Sequence, residues 1–414
     1  MIEPVIFHVD VNSAFLSWES AHRLSENPDA VDLRLIPSVI GGSEEHRHGI
    51  VLAKSTPAKA FHIQTGEPLV NARRKCPGLL VAPPHFSIYV ENSNKLMEYL
   101  RLYAPTVEQY SIDEAFCDMS GTGKLYGDPV AFAHKMKDEI KERFGFTVNI
   151  GISSNHLLAK MASDFEKPDK VHTLFPEEIE TKMWPLPVEE LFFVGRQTAK
   201  KLHELGIHTI GDLAACDINV IRAHFKKHGE IIWNYANGKD LEFSADHKAS
   251  VKGYSNETTI PYDVTDADTA KSILLSLSET VGARIRADRA HIKVVQVMIT
   301  DCNFQKQSHQ ITLPSATNVT EIIYETACQL FDQAWNHQPI RLLGVGTSRA
   351  SDDECEQYDL FNSERNEKLA KLNSAIDNIR SRYGEDSIKR ARFIGSEQEH
   401  MTGGLSKEKR KKSE

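Results

Sequence analysis

The stretch VIFHVDVNSAFLSWESAHRL, residues 5–24, passes from a β-rich segment directly into apolar residues at helical spacing. It reads as a buried strand running straight into an amphipathic helix. Asp10 lies in that strand, where an unpaired carboxylate is costly to desolvate. Alone, it reads more readily as a salt-bridged acid near a strand end. Further on, EQYSIDEAFCDMSG (residues 108–121) reads as a hairpin carrying two adjacent acids, Asp113 and Glu114, between apolar flanks. Neighbours on a strand face opposite sides, so both serve one site only if the hairpin bends at Ile112 to Glu114. Such a bend brings them to the end of the Asp10 strand, and three gathered carboxylates repel unless a cation compensates. Phosphoryl transfer from a nucleoside triphosphate uses two hard cations about 3.5 to 4 Å apart, held chiefly by carboxylate oxygens. A solvated hairpin tip is the alternative.

Strands alternate with helices around these segments, which gives an α/β or α+β first domain. Residues 31–70 form a β-rich insert (LRLIPSVI, then GIVLAKS), and WPLPVEELF opens a run of short helices ending near Asp240. After the polar linker EFSADHKASVKG, a strand, helix, strand, strand, helix, strand order suggests a small α+β sandwich. The remainder from about Ser351 reads as acidic, then helical, then a polar tail, GGLSKEKRKKSE, expected to be disordered. At 414 residues, two to four domains are expected. No uncharged apolar run reaches membrane-spanning length and the N-terminus carries acids and a proline, so a cytoplasmic protein with no membrane partner is expected. The six scattered cysteines form no C-x-x-C pair and read as reduced packing residues. A net charge of -9 argues against nucleic acid, so any DNA-facing surface must be local, as in Arg73-Arg74-Lys75 or Arg284 to Lys293.

HVDVNSAF, YSIDEAF, VNIGISSNHLLAKMASDFEKPD and VEELFFVGRQTAKKLHELGIHTIGDL, in this order and spacing, resemble the Y-family translesion DNA polymerases, nearest to their DinB branch. The likeness covers roughly residues 1 to 350, and its motifs are specific in combination. It implies a multidomain α+β right hand: a palm over 1–170 with a fingers insert at about 31–78, a helical thumb with a helix-hairpin-helix over 171–241, and an α+β little finger over 242–350. A C-terminal tail, 351–414, follows with one helix. The implied activity is template-directed, error-prone extension of a primer 3′-hydroxyl with deoxynucleoside triphosphates, with primer-template DNA as partner and two Mg2+ ions as cofactor. Asp10, Asp113 and Glu114, with the main-chain carbonyl of Val11, are then the catalytic metal ligands.

By the same resemblance Phe15 is an aromatic gate against the ribose 2′-hydroxyl, for which a core aromatic is the alternative. Lys167 binds the triphosphate, where a solvated lysine is the alternative. In the fingers, Thr56 and Lys59 stand where the family has tyrosine and arginine; lysine keeps the charge but loses the bidentate fork, with Lys54 as a candidate for compensation. Asn12 and Ala14 also replace an acid and an aromatic. Gly195, in a turn of the helix-hairpin-helix, and Lys252, Arg284, Arg286, Lys293 and Arg341 are candidate phosphate contacts. Gln357, Leu360 and Phe361 in QYDLF resemble the peptide by which bacterial polymerases dock on the sliding clamp. A monomer is expected. The competing functions are a catalytically silent DNA-binding scaffold and a nucleotide cyclase; the retained carboxylates disfavour the first and the DNA-binding segments the second.

Overall fold

The computed structural model describes residues 4–42, 47, 49–240, 251–350, 363–395 and 398–402. Two compact units divide them, one built on residues up to 42 with 50–240, the other on residues from 251 onward.

In the first unit, β1 (Ile6–Val11) leads into α1 (Ala14–Glu26). Then come β2 (Ser38–Gly41), β3 (Val51–Lys54), α2 (Thr56–Lys59), α3 (Leu69–Lys75) and β4 (Leu80–Ala82). The chain returns through α4 (Phe86–Arg101), β5 (Thr106–Gln109), β6 (Glu114–Asp118), α5 (Gly123–Tyr126), α6 (Pro129–Phe144), β7 (Val148–Ser153), α7 (His156–Asp164) and β8 (Val171–Thr173). Five strands make one sheet in the order β5-β6-β1-β7-β8. Its central strands β1 and β7 are buried along their whole length, polar His8, Asp10, Asn149 and Ser153 included. Gly151 makes this possible on one face: a Cβ there would lie 2.0 Å from the Ala159 carbonyl oxygen, so only glycine lets α7 rest against β7.

The insert has its own three-stranded sheet, β3-β2-β4, and its own core of Val39, Val51, Ile63, Leu69 and Ala72. It differs from the expectation in three ways. LRL forms a 3₁₀ turn capped by the Asp32 carboxylate instead of strand, α2 and α3 were not foreseen, and parallel pairing of Ser38 with Leu80 carries the insert past residue 78 to Ala82. The expected palm boundary at 170 also falls short, because Val171 pairs with Ile150 and adds β8 to the main sheet.

A helical group follows: α8 (Arg196–Glu204), α9 (Ile210–Ala215), capped by Thr209 and Asp212, and α10 (Ile218–Ala236), broken at Lys226 where φ is 54°. Its core holds Leu202, Ile207, Ile210, Leu213 and Ile232.

The second unit is the expected sandwich. β9 (Ser255–Val264), α11 (Ala267–Ala287), β10 (Ile292–Asp301), β11 (Lys306–Thr317), α12 (Thr320–Ala334) and β12 (Ile340–Ser348) give an antiparallel sheet in the order β11-β10-β12-β9. Both helices pack on one face, through Leu274, Leu277, Ile323 and Phe331 against Val295, Val297, Leu343 and Val345. What the sequence did not disclose is that α13 (Ser363–Tyr383) and the segment after it fold back onto α11 and α12. Buried Glu279 accepts from Arg390 and, at 2.7 Å, from Arg380, while Asn373 accepts from the Thr320 N–H at 2.8 Å. Arg286, expected on DNA, is instead committed here: its guanidinium bonds Asp377 at 2.5 Å and the Asn318 carbonyl at 2.8 Å. The clamp peptide residues Gln357, Leu360 and Phe361, the linker to residue 250 and the polar tail lie outside the described residues.

Removing one member of a buried charge group leaves its partner poorly compensated, at a cost of about 3 kcal/mol. Arg380→Ala is therefore expected to lower the melting temperature by about 10 °C in thermal denaturation; an unchanged value would mean that the C-terminal segment adds nothing to the stability of this unit.

Candidate active site

Antiparallel pairing places Asp10 of β1 directly opposite Glu114 of β6, and the Val11 N–H donates to the Asp113 carbonyl at 3.1 Å. Residues opposite each other project on the same face, so Asp10 and Glu114 share one, and Asp113 adjoins the end of β1 through its main chain. Ser111 sets the bend expected at Ile112 to Glu114: its hydroxyl bonds the Asp113 carboxylate at 2.6 Å and accepts from the Glu114 N–H at 3.1 Å.

Asp10 is only 7% exposed. Burial pushes its carboxyl up to about 6, outweighing the pull of the Lys167 ammonium, which bonds its Oδ2. Lys167 also sits 2.7 Å from Asp164, and the two acids overcome its own burial and hold it above the ordinary lysine range. Glu114 shows the opposite balance. Burial pushes it up, but His8 and Lys160 win and hold it at about 2. Lys160 Nζ stands 3.0 Å from Glu114 Oε1, and His8 Nε2 stands 3.8 Å from Oε2. His8 is fully buried, its Nδ1 paired with the Ser163 hydroxyl at 2.8 Å, and burial lowers its pKa. Neither His8 nor Lys160 was singled out in the sequence; the available signal was a polar side chain amid apolar neighbours, in IFHVDV and LLAKMA.

Among the described residues, no three His, Cys, Asp or Glu side chains converge tightly enough to hold a metal ion as they stand. Lys167 engages Asp10 and Lys160 engages Glu114. The donor chemistry nonetheless fits a hard divalent cation: three carboxylates and the neighbouring Val11 main chain offer oxygen only. The buried Asp10, with its raised pKa, is the group whose ionised form most needs a compensating charge.

Phe15 lies on the first turn of α1, stacked on Tyr89 at 4.7 Å with 11° between planes and edge-on to Phe86 at 5.9 Å. Buried Glu19 anchors the same helix, accepting from Arg23 at 2.8 Å and pairing with His85 at 2.9 Å. Phe15, Asp10, Asp113 and Lys167 line one cleft, and the insert contributes Thr56, Lys59 and Lys54 to it. Lys54 does not reach freely into the cleft, since its ammonium donates to the Ile63 carbonyl at 2.6 Å.

The remaining candidates lie on other elements of the chain. Gly195 caps the N-terminus of α8 with an extended backbone, after a 3₁₀ turn over Val188–Glu190. In the second unit Lys252 and Lys293 are exposed. Arg284 packs over Tyr254 and donates to the Ser255 carbonyl at 3.0 Å, while Arg341 packs over Phe304.

Residues 9–164 match the impB/mucB/samB family, residues 251–360 that family's C-terminal domain, and residues 190–240 the thumb domain of DNA polymerase-iota. A DNA polymerase IV of Clostridium acetobutylicum is 46% identical, with 95% of this chain and 99% of that protein covered. DNA polymerase IV 2 of Bacillus subtilis is 35% identical over 94% of this chain and 95% of its own. Among solved structures, a Y-family DNA polymerase chimera superposes with a TM-score of 0.70 at 22% identity, covering 84% of this chain and all of that one.

In the cation-free protein the Asp10 carboxyl, followed by NMR, is expected to titrate near 6, and a divalent cation is expected to shift the midpoint down with proton release at pH 6. A midpoint near 3.8 that ignores the cation would contradict this electrostatic picture.

Proposed function

The chain belongs to the Y-family DNA polymerases, in the DNA polymerase IV group, and from that premise we propose how its residues carry out template-directed, lesion-bypassing DNA synthesis. The observation that carries the assignment is the register of β1 and β6: Asp10 faces Glu114, and Asp10 shares one cleft with Asp113, Phe15 and Lys167. Primer-template DNA and deoxynucleoside triphosphates are the substrates, and the enzyme depends on divalent metal.

Asp10, Asp113, Glu114 and the Val11 carbonyl would hold two magnesium ions. When bound, these lower the pKa of the primer hydroxyl and neutralise charge on the triphosphate. Lys167 already carries its charge at the edge of this site, paired to Asp10, and is placed to exchange that partner for a phosphate oxygen. Lys59 adds a second ammonium and Thr56 a hydroxyl, a weaker and less directional grip than a guanidinium fork supplies. Phe15 cannot swing away, because Tyr89 and Phe86 brace two of its sides; a ring so held excludes a 2′-hydroxyl from the sugar site. Lys160 fixes the direction of the Glu114 carboxylate.

Outside the cleft, Gly195 at the α8 N-terminus, Lys252 and Lys293 are proposed phosphate contacts; Arg284 keeps that assignment with less freedom. Gln357, Leu360 and Phe361 are proposed to dock on the sliding clamp, which raises the effective concentration of a weakly held primer end. A monomer working in the cytoplasm is proposed.

Primer extension tests this reading. Asp113→Ala and Glu114→Ala are each expected to lower incorporation on the order of 10³-fold without loss of DNA binding, as removal of transition-state charge stabilisation does. Phe15→Ala is expected to admit ribonucleotides about 100-fold more readily relative to deoxynucleotides, the scale of a lost steric exclusion. Template-dependent extension that survives both carboxylate substitutions would sink the assignment.

A further inference from the structure

The sequence places an asparagine, Asn12, two residues after Asp10, where the resemblance leads one to expect an acid. Its surroundings show what an amide does there that a carboxylate cannot. Asn12 is 8% exposed and Asn149, on β7 beside it, is fully buried. Asn12 Nδ2 donates to Asn149 Oδ1 at 3.1 Å. The other ends of both amides are directed at the chain between α7 and β8, the loop that carries Lys167. Asn149 Nδ2 donates to the Ser163 carbonyl at 2.9 Å and the Glu166 carbonyl at 2.7 Å, while its Oδ1 also accepts from the Lys170 N–H at 3.2 Å. Asn12 Oδ1 accepts from the Asp169 N–H at 2.9 Å, and from the Thr147 hydroxyl at 2.9 Å. Three main-chain groups of the loop, on both sides of Lys167, and one at the end of α7 are thus held by two side chains rooted in the sheet.

We infer that the Asn12–Asn149 amide pair is a positioning element for Lys167, setting where its ammonium can reach and hence how well the enzyme grips an incoming triphosphate. The inference rests on the proposed triphosphate role of Lys167. Every polar atom of the pair has a partner of the right kind, and both amides are desolvated, so the network has one satisfied arrangement. A carboxylate at position 12 would still accept from Asp169 and Thr147, but its second oxygen would face Asn149 Oδ1. Asn149 could meet it only by turning its amide over, which would strip the Ser163 and Glu166 carbonyls of their donor. The Asp169 side chain is separately anchored by Lys137 and Lys141, each at 2.8 Å, so losing the amide pair loosens the loop without releasing it. The consequence falls on the placement of Lys167, not on the fold of the sheet.

Single-nucleotide insertion kinetics on a primed template test this with Asn12→Asp, Asn149→Ala, Lys167→Ala and the two doubles that combine each asparagine change with Lys167→Ala. Asn12→Asp keeps the side-chain size and serves if Asn149→Ala folds poorly. Each asparagine substitution is expected to raise KM for the nucleotide about tenfold, the scale of lost supporting hydrogen bonds, with kcat and primer-template affinity little changed. In the Lys167→Ala background neither is expected to raise KM further, because residues that act through one group are not additive. An increase in KM that multiplies on top of Lys167→Ala, or a loss of melting temperature with KM unchanged, would overturn the positioning role. If Lys167→Ala itself leaves KM untouched, the triphosphate role of Lys167 fails and takes the inference with it, a result distinct from the additive one.

Discussion

A carboxylate buried at the end of a central strand is the constraint on which the rest of this active site depends. Asp10 must ionise to hold the cation proposed for it, yet the sheet and its flanking helix remove the water that would make ionisation easy. Its pKa rises from 3.8 to about 6, a folding cost of about 3 kcal/mol once the group is charged. The sign follows from linkage: between those two values the folded state binds more protons than the unfolded chain, so stability falls as pH rises, and above about 6 the cost is complete. The protein limits that cost with a lysine and stands to cancel it with a cation.

The neighbouring groups follow from the same difficulty. Glu114, opposite on β6, is kept ionised by Lys160 and faces the buried ring of His8, so the two strands present one carboxylate that is easily neutralised and one that is not. Lys160 reaches Glu114 because Gly151 lets α7 lie against the sheet, and Lys167 reaches Asp10 because two amides hold the loop that follows. Phe15, braced by two aromatic rings, lines a cleft to which the insert side brings Lys54, Lys59 and Arg34, the last tied to Asp32.

Much of this was legible in the sequence because it rests on local pattern. The β1 run into α1, the YSIDEAF hairpin and the alternation of strand and helix in the second unit each carry their period in consecutive residues. What was not legible depends on partners far apart in the chain. β8 is three residues long and is defined by pairing with β7; α2 and α3 are too short for a periodic signal. The docking of α13 uses Arg380, Asn373 and Asp377, polar residues that look solvated in a sequence, and the Asp377 partner of Arg286 lies 91 residues away from it. His8, Lys160 and Asn149 act through contacts that no spacing rule reveals.

The most direct test of the central claim is the melting temperature of Asp10→Asn against wild type at pH 8, without divalent cation. The electrostatic account expects the variant to be at least as stable, because a buried charge is removed while Lys167 keeps Asp164 as a partner, and it expects added cation and nucleotide to stabilise the wild type alone. A loss of several degrees in the variant under cation-free conditions would contradict it, and would mean that the Asp10–Lys167 pair holds the fold together instead of burdening it.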